Sequence, residues 1–338
     1  MKLPAGKVPP ALLEGLIFKR LGTRRKEVVV GPSLGVDGAV VRIGDRLLVS
    51  SMDPITGALE RIGWLAVNIN ANDVATFGVR PAFFSSCILL PEHATEAIVR
   101  TVCRQIDSGA KKLGMAVIGG HSETTPGLVF PIVIGCCMGV TEQGRYVTSK
   151  GARAGNDLIL TKSAGMEGTA ILAADRRPVL ADALGNSVVK KAAAFFRRIS
   201  VVDDALLAFG TGGVTAMHDP TEGGIANGIH ELADASNKGF RIFEDRISIA
   251  EETVRICRFF RIDPMCLIAS GSLLIAAEKD FSGKIVKVLR KSGIAAAVIG
   301  ELLSSTWKRA IVRRDGREER LARPVSDHLW RASATISQ

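Results

Sequence analysis

The sequence predicts a two-domain protein of mixed class, α+β to α/β, on three observations. Its 338 residues exceed the usual span of one domain. The first half alternates strand-like apolar runs with long helical stretches. The last third carries a βαβ pattern, GSLLIAAEKDFSGKIVKVLRKSGIAAAVIGEL, with helical period between two apolar runs. The expected division is 1–150, 151–325 and a tail, 326–338.

Pro10 to Leu21 reads as a short helix between basic residues. Strand-like runs follow at Glu27–Val30, Ala39–Ile43 and Arg46–Met52. GPSLGVDGAVV joins the first two and holds one acid, Asp37. Backbone N–H groups in such a loop can form an anion nest, or the loop is a plain connection. From Ile62 to Phe84, apolar residues at Trp64, Val67, Ala71, Val74, Ala75 and Gly78 follow helical spacing, with one face for a core. Gly78 sits where a C′ glycine ends a helix, and Pro81 stops its continuation. Asn68, Asn70 and Asn72 crowd this helix although Asn is a poor helix former. Polar groups placed at a local cost point to a site.

AFFSSCILLP then reads as a strand, and Glu92–Leu113 as an amphipathic helix ending at Gly114. MAVIGGHSETTPG reads as a buried strand closing in a polar loop, and LVFPIVIGCCMGV as another buried strand. GRYVTSKGARAGNDL is the linker. DLILTKSAGMEGTAILAAD reads as strand, Gly turn and helix. Helical stretches follow at Ser187–Ile199 and Asp203–Phe209, then a strand, turn and helix in GVTAMHDPTEGGIANGIHELADAS. From Arg317 the chain is polar and is expected to fray.

Composition excludes several classes. The net charge is +10, but the basic clusters are short, so no nucleic-acid tail is present. Aromatic content of 5% gives no stacking platform for bases. A basic balance also suits nucleotides. None of the six cysteines forms a C-x-x-C pair, so zinc spacing is absent. Cys87, Cys136 and Cys137 lie in apolar runs, as small buried hydrophobes do. The N-terminus lacks the apolar core of a signal peptide, and FPIVIGCCMGV is too short to span a bilayer. A cytoplasmic protein without a membrane segment is expected.

Four polar loops carry candidate chemistry: residues 35–41, 52–57, 119–127 and 218–224. Asp53 at a strand end and Asp73 on the next helix can hold a divalent cation. Magnesium favours few carboxylates, with waters and phosphate oxygens completing its shell. The alternative is that Asp53 forms a turn and Asp73 is a solvated helix residue. Gly119 and Gly120 would admit a backbone close to a ligand. Glu123 adds a possible third metal carboxylate. His121 can donate to a phosphate or act as acid–base. In HDPTEGG the glycines precede a helix whose N-terminus favours anions. His218 abuts this acidic turn, and His230 reads as packing or surface. The chain contains neither a P-loop nor G-x-G-x-x-G. Together the loops point to a phosphate-handling enzyme.

The order of the Asp37 loop, MDPITG, NANDVATFGVRPAFF, GGHSETTPG and HDPTEGG resembles the aminoimidazole ribonucleotide (AIR) synthetase superfamily, from about Gly31 to Leu302. That group includes selenophosphate synthetase, thiamine-monophosphate kinase and the hydrogenase-maturation carbamoyl dehydratases, the HypE-like proteins. NDVA-x-x-G-x-x-P and DPT-x-GG look most like the last branch. The resemblance implies an N-terminal mixed-sheet domain that forms a barrel with its copy in a homodimer, and a C-terminal αβ domain. It implies ATP and Mg2+ as cofactors. It makes Asp37, Asp53 and Asp73 metal–phosphate carboxylates. Asn72, Gly119, Gly120 and Thr124 would flank the phosphates. Asp219, Thr221, Glu222, Gly223 and Gly224 would line a cleft from the second domain, with His121, Glu123, Asp219 and Glu222 catalytic. HypE-like proteins carry their substrate group on a C-terminal cysteine, whereas this chain ends SATISQ and its last cysteine is Cys266. The expected substrate is therefore an unidentified small molecule or a group borne by another protein. The alternatives are a small-molecule kinase and a nucleotide-binding partner protein without turnover.

Overall fold

The structure is a computed structural model and describes residues 6–56 and 59–334. Gly57 of the MDPITG loop and residues 335–338 of the tail, with Thr335 and Ser337, lie outside them. The chain divides into two compact units. One comprises Glu27–Gly31 and Asp37–Tyr146, the other Met1–Lys26, Pro32–Val36 and Val147–Gln338.

Helix α1 (Pro10–Leu12) starts at a proline, whose fixed φ suits a first helical position. It passes into a π-helical turn, Leu13–Ile17, and stops at Phe18, short of the expected Leu21.

The N-terminal unit contains β1 (Val28–Val30), β2 (Ala39–Ile43), β3 (Arg46–Ile55), α2 (Ile62–Thr76), β4 (Pro81–Leu90), α3 (Glu96–Leu113), β5 (Ala116–Thr124) and β6 (Ile132–Glu142). They form one sheet in the order β1-β2-β3-β6-β4-β5. The β4–β5 pair is parallel. In β3, Leu47, Val49, Ser51 and Ile55 are buried, and in β6 Val133, Gly135, Cys137 and Gly139 are. This period of two gives the sheet one covered face.

Helix α2 departs from the expected single apolar face: every residue except Trp64 is buried. A helix apolar all round belongs inside a core, and its asparagines go in with it. Helix α3 is amphipathic, burying Val102, Ile106, Gly109 and Ala110. The two helices approach closely at glycines. A Cβ on Gly63 would lie 2.6 Å from the Val102 carbonyl oxygen, and one on Gly109 would lie 3.1 Å from Val67 Cβ. Gly78 (φ +74°) and Gly114 (φ +68°) end the helices in the left-handed region, as the sequence predicts.

Strand β5 corrects a second expectation. GGHSET is not a loop after a buried strand. Ala116–Thr124 is one strand at the sheet edge, exposed along its whole length. Its apolar start leaves Val117 49% and Ile118 56% exposed, because no further strand pairs with it.

The second unit contains β7 (Asp157–Thr161), α4 (Met166–Asp175), α5 (Arg177–Leu184), α6 (Asn186–Ala193), α7 (Val202–Thr211), β8 (Val214–His218), α8 (Gly224–Ser236), β9 (Gly239–Phe243), α9 (Glu251–Phe260), β10 (Leu274–Ala277), α10 (Lys279–Lys291), β11 (Ala296–Leu303), β12 (Arg309–Val312), β13 (Glu318–Arg320) and α11 (His328–Ala334). The sheet order is β13-β12-β9-β11-β7-β10-β8. Strands β10 and β11 both pair antiparallel with β7, so the predicted βαβ unit runs parallel around it. Leu158, Leu160, Ile225, Ile229, Phe240 and Ile299 are among its core. The tail does not fray from Arg317. Strand β13 pairs with β12, and Leu321, Asp327, Leu329 and Ala332 are buried. Leu321, Leu329 and Ala332 face inward, while Val325 and Trp330 stay exposed, and a count of polar residues hides the difference.

Candidate functional site

In the N-terminal unit the candidate site is built where β3 faces α2. Ser51 and Asp53 are two apart on the strand and share a face. Asn70 and Asp73 are three apart on the helix and also share a face. Asn70 Oδ1 accepts the Asp53 N–H at 2.8 Å, and Asn70 Nδ2 donates to the Asp53 carbonyl at 3.2 Å. The same Nδ2 donates to the Ala66 carbonyl at 2.8 Å, using its second hydrogen. Gly135 lies opposite Asp53 and makes room for this amide, since a Cβ there would sit 2.4 Å from Asn70 Nδ2. The Asp53 main chain is thus clamped, while the residue itself is half-buried.

Asp73 is only 3% exposed, so it is not a solvated helix residue. Ser51 Oγ lies 2.6 Å from Asp73 Oδ2 and 2.8 Å from the Asp37 carbonyl oxygen. One hydroxyl hydrogen serves both acceptors in turn, tying Asp73 to the main chain of the Asp37 loop. Asn72 is fully buried. Among the described residues, Asp37, Asp53 and Asp73 do not by themselves converge on one ion position. Beside Asp73, burial and then that carboxylate push the Cys137 thiol up to about 12.

On β5, His121 Nε2 lies 3.1 Å from Glu123 Oε2, and Thr125 Oγ1 donates to Glu123 Oε1 at 3.0 Å. The His121 hydrogen bond, then that from Thr125, holds the Glu123 carboxyl below its usual range. Thr124 points to the opposite side of the strand. Gly119 has open space around it, but Gly120 does not. A Cβ on Gly120 (φ +154°) would lie 2.0 Å from the Ser86 carbonyl oxygen of β4. Close strand pairing therefore requires that glycine. Gly120→Ala is expected to destabilise the fold by about 1–3 kcal/mol, read as a lower urea midpoint. A midpoint equal to that of the parent chain would refute the assignment.

The second unit holds the HDPTEGG turn. Gly223 (φ +80°) caps α8, and Gly224 (φ +64°) has no room for a Cβ, which would lie 2.5 Å from the Met265 and Leu267 carbonyl oxygens. The anion seat expected at this helix N-terminus is filled by the chain's own carboxylate. Gly223 N–H donates to Asp327 Oδ2 at 2.6 Å, and Leu329 N–H to Asp327 Oδ1 at 2.7 Å. Burial pushes the Asp327 carboxyl up and backbone N–H groups restrain it, leaving it at about 6. Glu222 is also taken up by the chain's ends: Lys7 N–H donates to it at 2.8 Å and Trp330 Nε1–H at 3.2 Å. Thr221 is half-buried, and its carbonyl accepts from Gly224 N–H at 3.0 Å.

Asp219 and His218 are buried. His218 Nε2 lies 3.0 Å from Glu231 Oε2. Burial pushes the Glu231 carboxyl up, but Lys7 and His218 outweigh it and lower it to about 2. His230 is a packing residue, edge-on to Phe240 and 3.1 Å from the Leu321 carbonyl oxygen. Glu167 is buried beside Ser270 and raised by burial to about 7.

Ser51, Asp327 and Glu231 give no local signal in the sequence. Asn70 shows only as one of three crowded asparagines, and its partner is not legible. A buried pair, Lys162 Nζ to Asp204 Oδ2 at 2.9 Å, is likewise non-local.

Fold and site define a two-domain αβ protein with carboxylates ordered along one helix–strand seam. The family of AIR synthase related proteins matches the chain twice, its N-terminal domain over residues 35–141 and its C-terminal domain over 153–312. The chain belongs to this family. It is 28% identical over 302 residues to a protein of Methanocaldococcus jannaschii assigned to hydrogenase expression or formation, covering 87% of this chain and 88% of the relative. It is 26% identical over 271 residues to the carbamoyl dehydratase HypE of Bradyrhizobium diazoefficiens, covering 79% and 75%. Among solved structures, the HypE–HypF complex gives a TM-score of 0.75 at 19% identity, over 93% of this chain and 100% of that one. HypE in complex with ATP gives 0.72 at 20% identity, over 98% of each. Thiamine monophosphate kinase from Aquifex aeolicus gives 0.66 at 17% identity, over 91% and 97%. At these identities the structures share the fold alone. No helix among the described residues is long and apolar enough to cross a membrane.

Proposed function

We propose that this chain is an ATP- and magnesium-dependent enzyme that activates a substrate atom by phosphoryl transfer. The observation that carries the reading is the ordered seam, Asp53 clamped by Asn70 and Asp73 held by Ser51, in a chain whose relatives include carbamoyl dehydratases. The donor set fits magnesium, which takes one or two carboxylates and fills its shell with water and phosphate oxygens. Asp53 and Asp73 would hold it, with Asp37 beside them. When bound, the ion neutralises charge on the transferring phosphoryl group. His121, paired with Glu123, is the acid–base candidate on β5.

The substrate is a free small molecule or a group on another protein; a structural neighbour, HypE, is known in complex with the protein HypF. A self-carried thiol group fits poorly with Cys137, Cys257 and Cys266, whose thiols burial pushes up to about 12. The second reading, a small-molecule kinase, draws on the shared fold of thiamine monophosphate kinase. Calorimetry with a non-hydrolysable ATP analogue, with and without magnesium, tests the first step. Metabolite-stimulated ADP release separates the two enzymes from a mere binder. Absence of nucleotide binding at millimolar ATP would sink both readings.

The same reading includes a homodimer built on the first sheet. Its uncovered face carries Leu48, Met52, Phe83, Ile132, Ile134, Met138 and Val140, registered across β3, β6 and β4. Met52 is 64% exposed. A face this apolar is normally covered. Light scattering is expected to give a dimer at micromolar concentration, and Met138→Asp a monomer. A monomeric parent chain would contradict it.

A further inference from the structure

In the second unit Arg241, Arg309, Arg313, Arg317 and Arg323 each form an ion pair. Arg246 and Arg290 have other partners, and both line one cavity. Arg246 lies over the Phe243 ring, its guanidinium carbon 4.1 Å from the centroid. Arg290 donates from Nε to the Ala296 carbonyl at 2.9 Å. Their recorded partners are a ring and a neutral carbonyl, which hold the guanidinium groups without cancelling their charge.

The cavity is about 360 Å³ and is lined by Leu160, Lys162, Arg246, Ser248, Arg290 and Ala295–Ala297. No acid stands in that wall. Lys162 is part of the lining, only 9% exposed and held by a left-handed backbone (φ +54°). Its ammonium is fixed by Asp204 and by the Ser200 carbonyl at 2.7 Å, so it contributes a rigid, partly compensated charge. Ala296, Ala297 and Leu160 supply an apolar floor.

We infer that this cavity binds a small molecule with a dianionic oxyanion head, of the phosphate or phosphomonoester class, between Arg246 and Arg290. The guanidinium forks suit oxygen pairs on one head group, and Ser248 is also part of the lining. The apolar floor favours an ester carrying a small organic body over the bare ion. The site lies within the second unit and uses none of the residues assigned above to ATP or magnesium.

The test is calorimetry on the full chain with inorganic phosphate and with phenyl phosphate. Both are expected to bind, the ester more tightly. Arg246→Gln and Arg290→Gln should each weaken binding about tenfold, and the double variant should abolish it. Arg290→Lys should restore part of the loss, and thermal melts check that each variant is folded. Tighter phosphate than ester would overturn the organic body. Binding unchanged in a folded double variant, or no binding of either anion, would overturn the site.

Discussion

Replacing Asp53 with asparagine is expected to lower magnesium-dependent ATP affinity about a hundredfold, the upper end for losses at a metal site, without moving the melting temperature. The structure separates two jobs at this residue. Its main chain belongs to the fold, since N–H and C=O both bond to the Asn70 amide. Its carboxylate, on a half-buried residue at the strand end, is the metal ligand of the proposed reading. Asparagine keeps the shape and the main-chain clamp and removes only the charge. Asn70→Ala should behave differently. It strips both bonds from Asp53 and leaves a void beside Gly135, so stability falls by about 1–3 kcal/mol together with affinity. Calorimetry with and without magnesium, beside a thermal melt, distinguishes the two patterns. Equal metal-dependent affinity in Asp53→Asn and parent chain would remove Asp53 from the metal site.

Local patterns were legible and pairings were not. The apolar period and Gly78 announce α2, and Gly114 announces the end of α3. Yet the stripe in α2 understates its burial, because alanines and asparagines on the other faces look neutral in a hydropathy pattern. The asparagines signal a site, but which strand residue Asn70 clamps depends on the sheet that covers it. The apolar first residues of β5 predict a buried strand, and only the strand order reveals an edge. Helix physics predicts an open anion seat at the HDPTEGG turn. Its occupant, Asp327, lies 104 residues away in sequence from Gly223, where no spacing rule reaches.

That occupant makes the C-terminal segment part of the turn. The polar composition from Arg317 suggests a fraying tail, and with it a chain that keeps its turnover when it ends after Pro324. The structure predicts the opposite. Truncation there removes the buried Leu329 and Ala332 and the Asp327 carboxylate on Gly223 N–H and Leu329 N–H. Losing one buried leucine costs about 2–5 kcal/mol, and an orphaned buried N–H about 1–3 kcal/mol more. Against a total stability of about 5–15 kcal/mol, the shortened chain is expected to lose its cooperative melt or much of its urea midpoint. A midpoint matching that of the full chain would show the segment to be dispensable.

Asp327 itself adds a pH signature. Its carboxyl is raised from 3.8 to about 6 in the fold, burial being the larger cause. The native state therefore holds this proton more tightly than the unfolded chain does. Stability should be greatest below about pH 4 as far as this group is concerned, and should decline as pH rises to about 6, by about 3 kcal/mol in all. Glu167, raised to about 7, acts with the same sign and extends the decline. Asp327→Asn is expected to remove the lower part of that slope and leave the part belonging to Glu167. Urea unfolding at a series of pH values between 4 and 8 reads both. A slope unchanged by Asp327→Asn would mean that the carboxylate on Gly223 carries no proton in the fold, and that the turn is closed by a fixed charge.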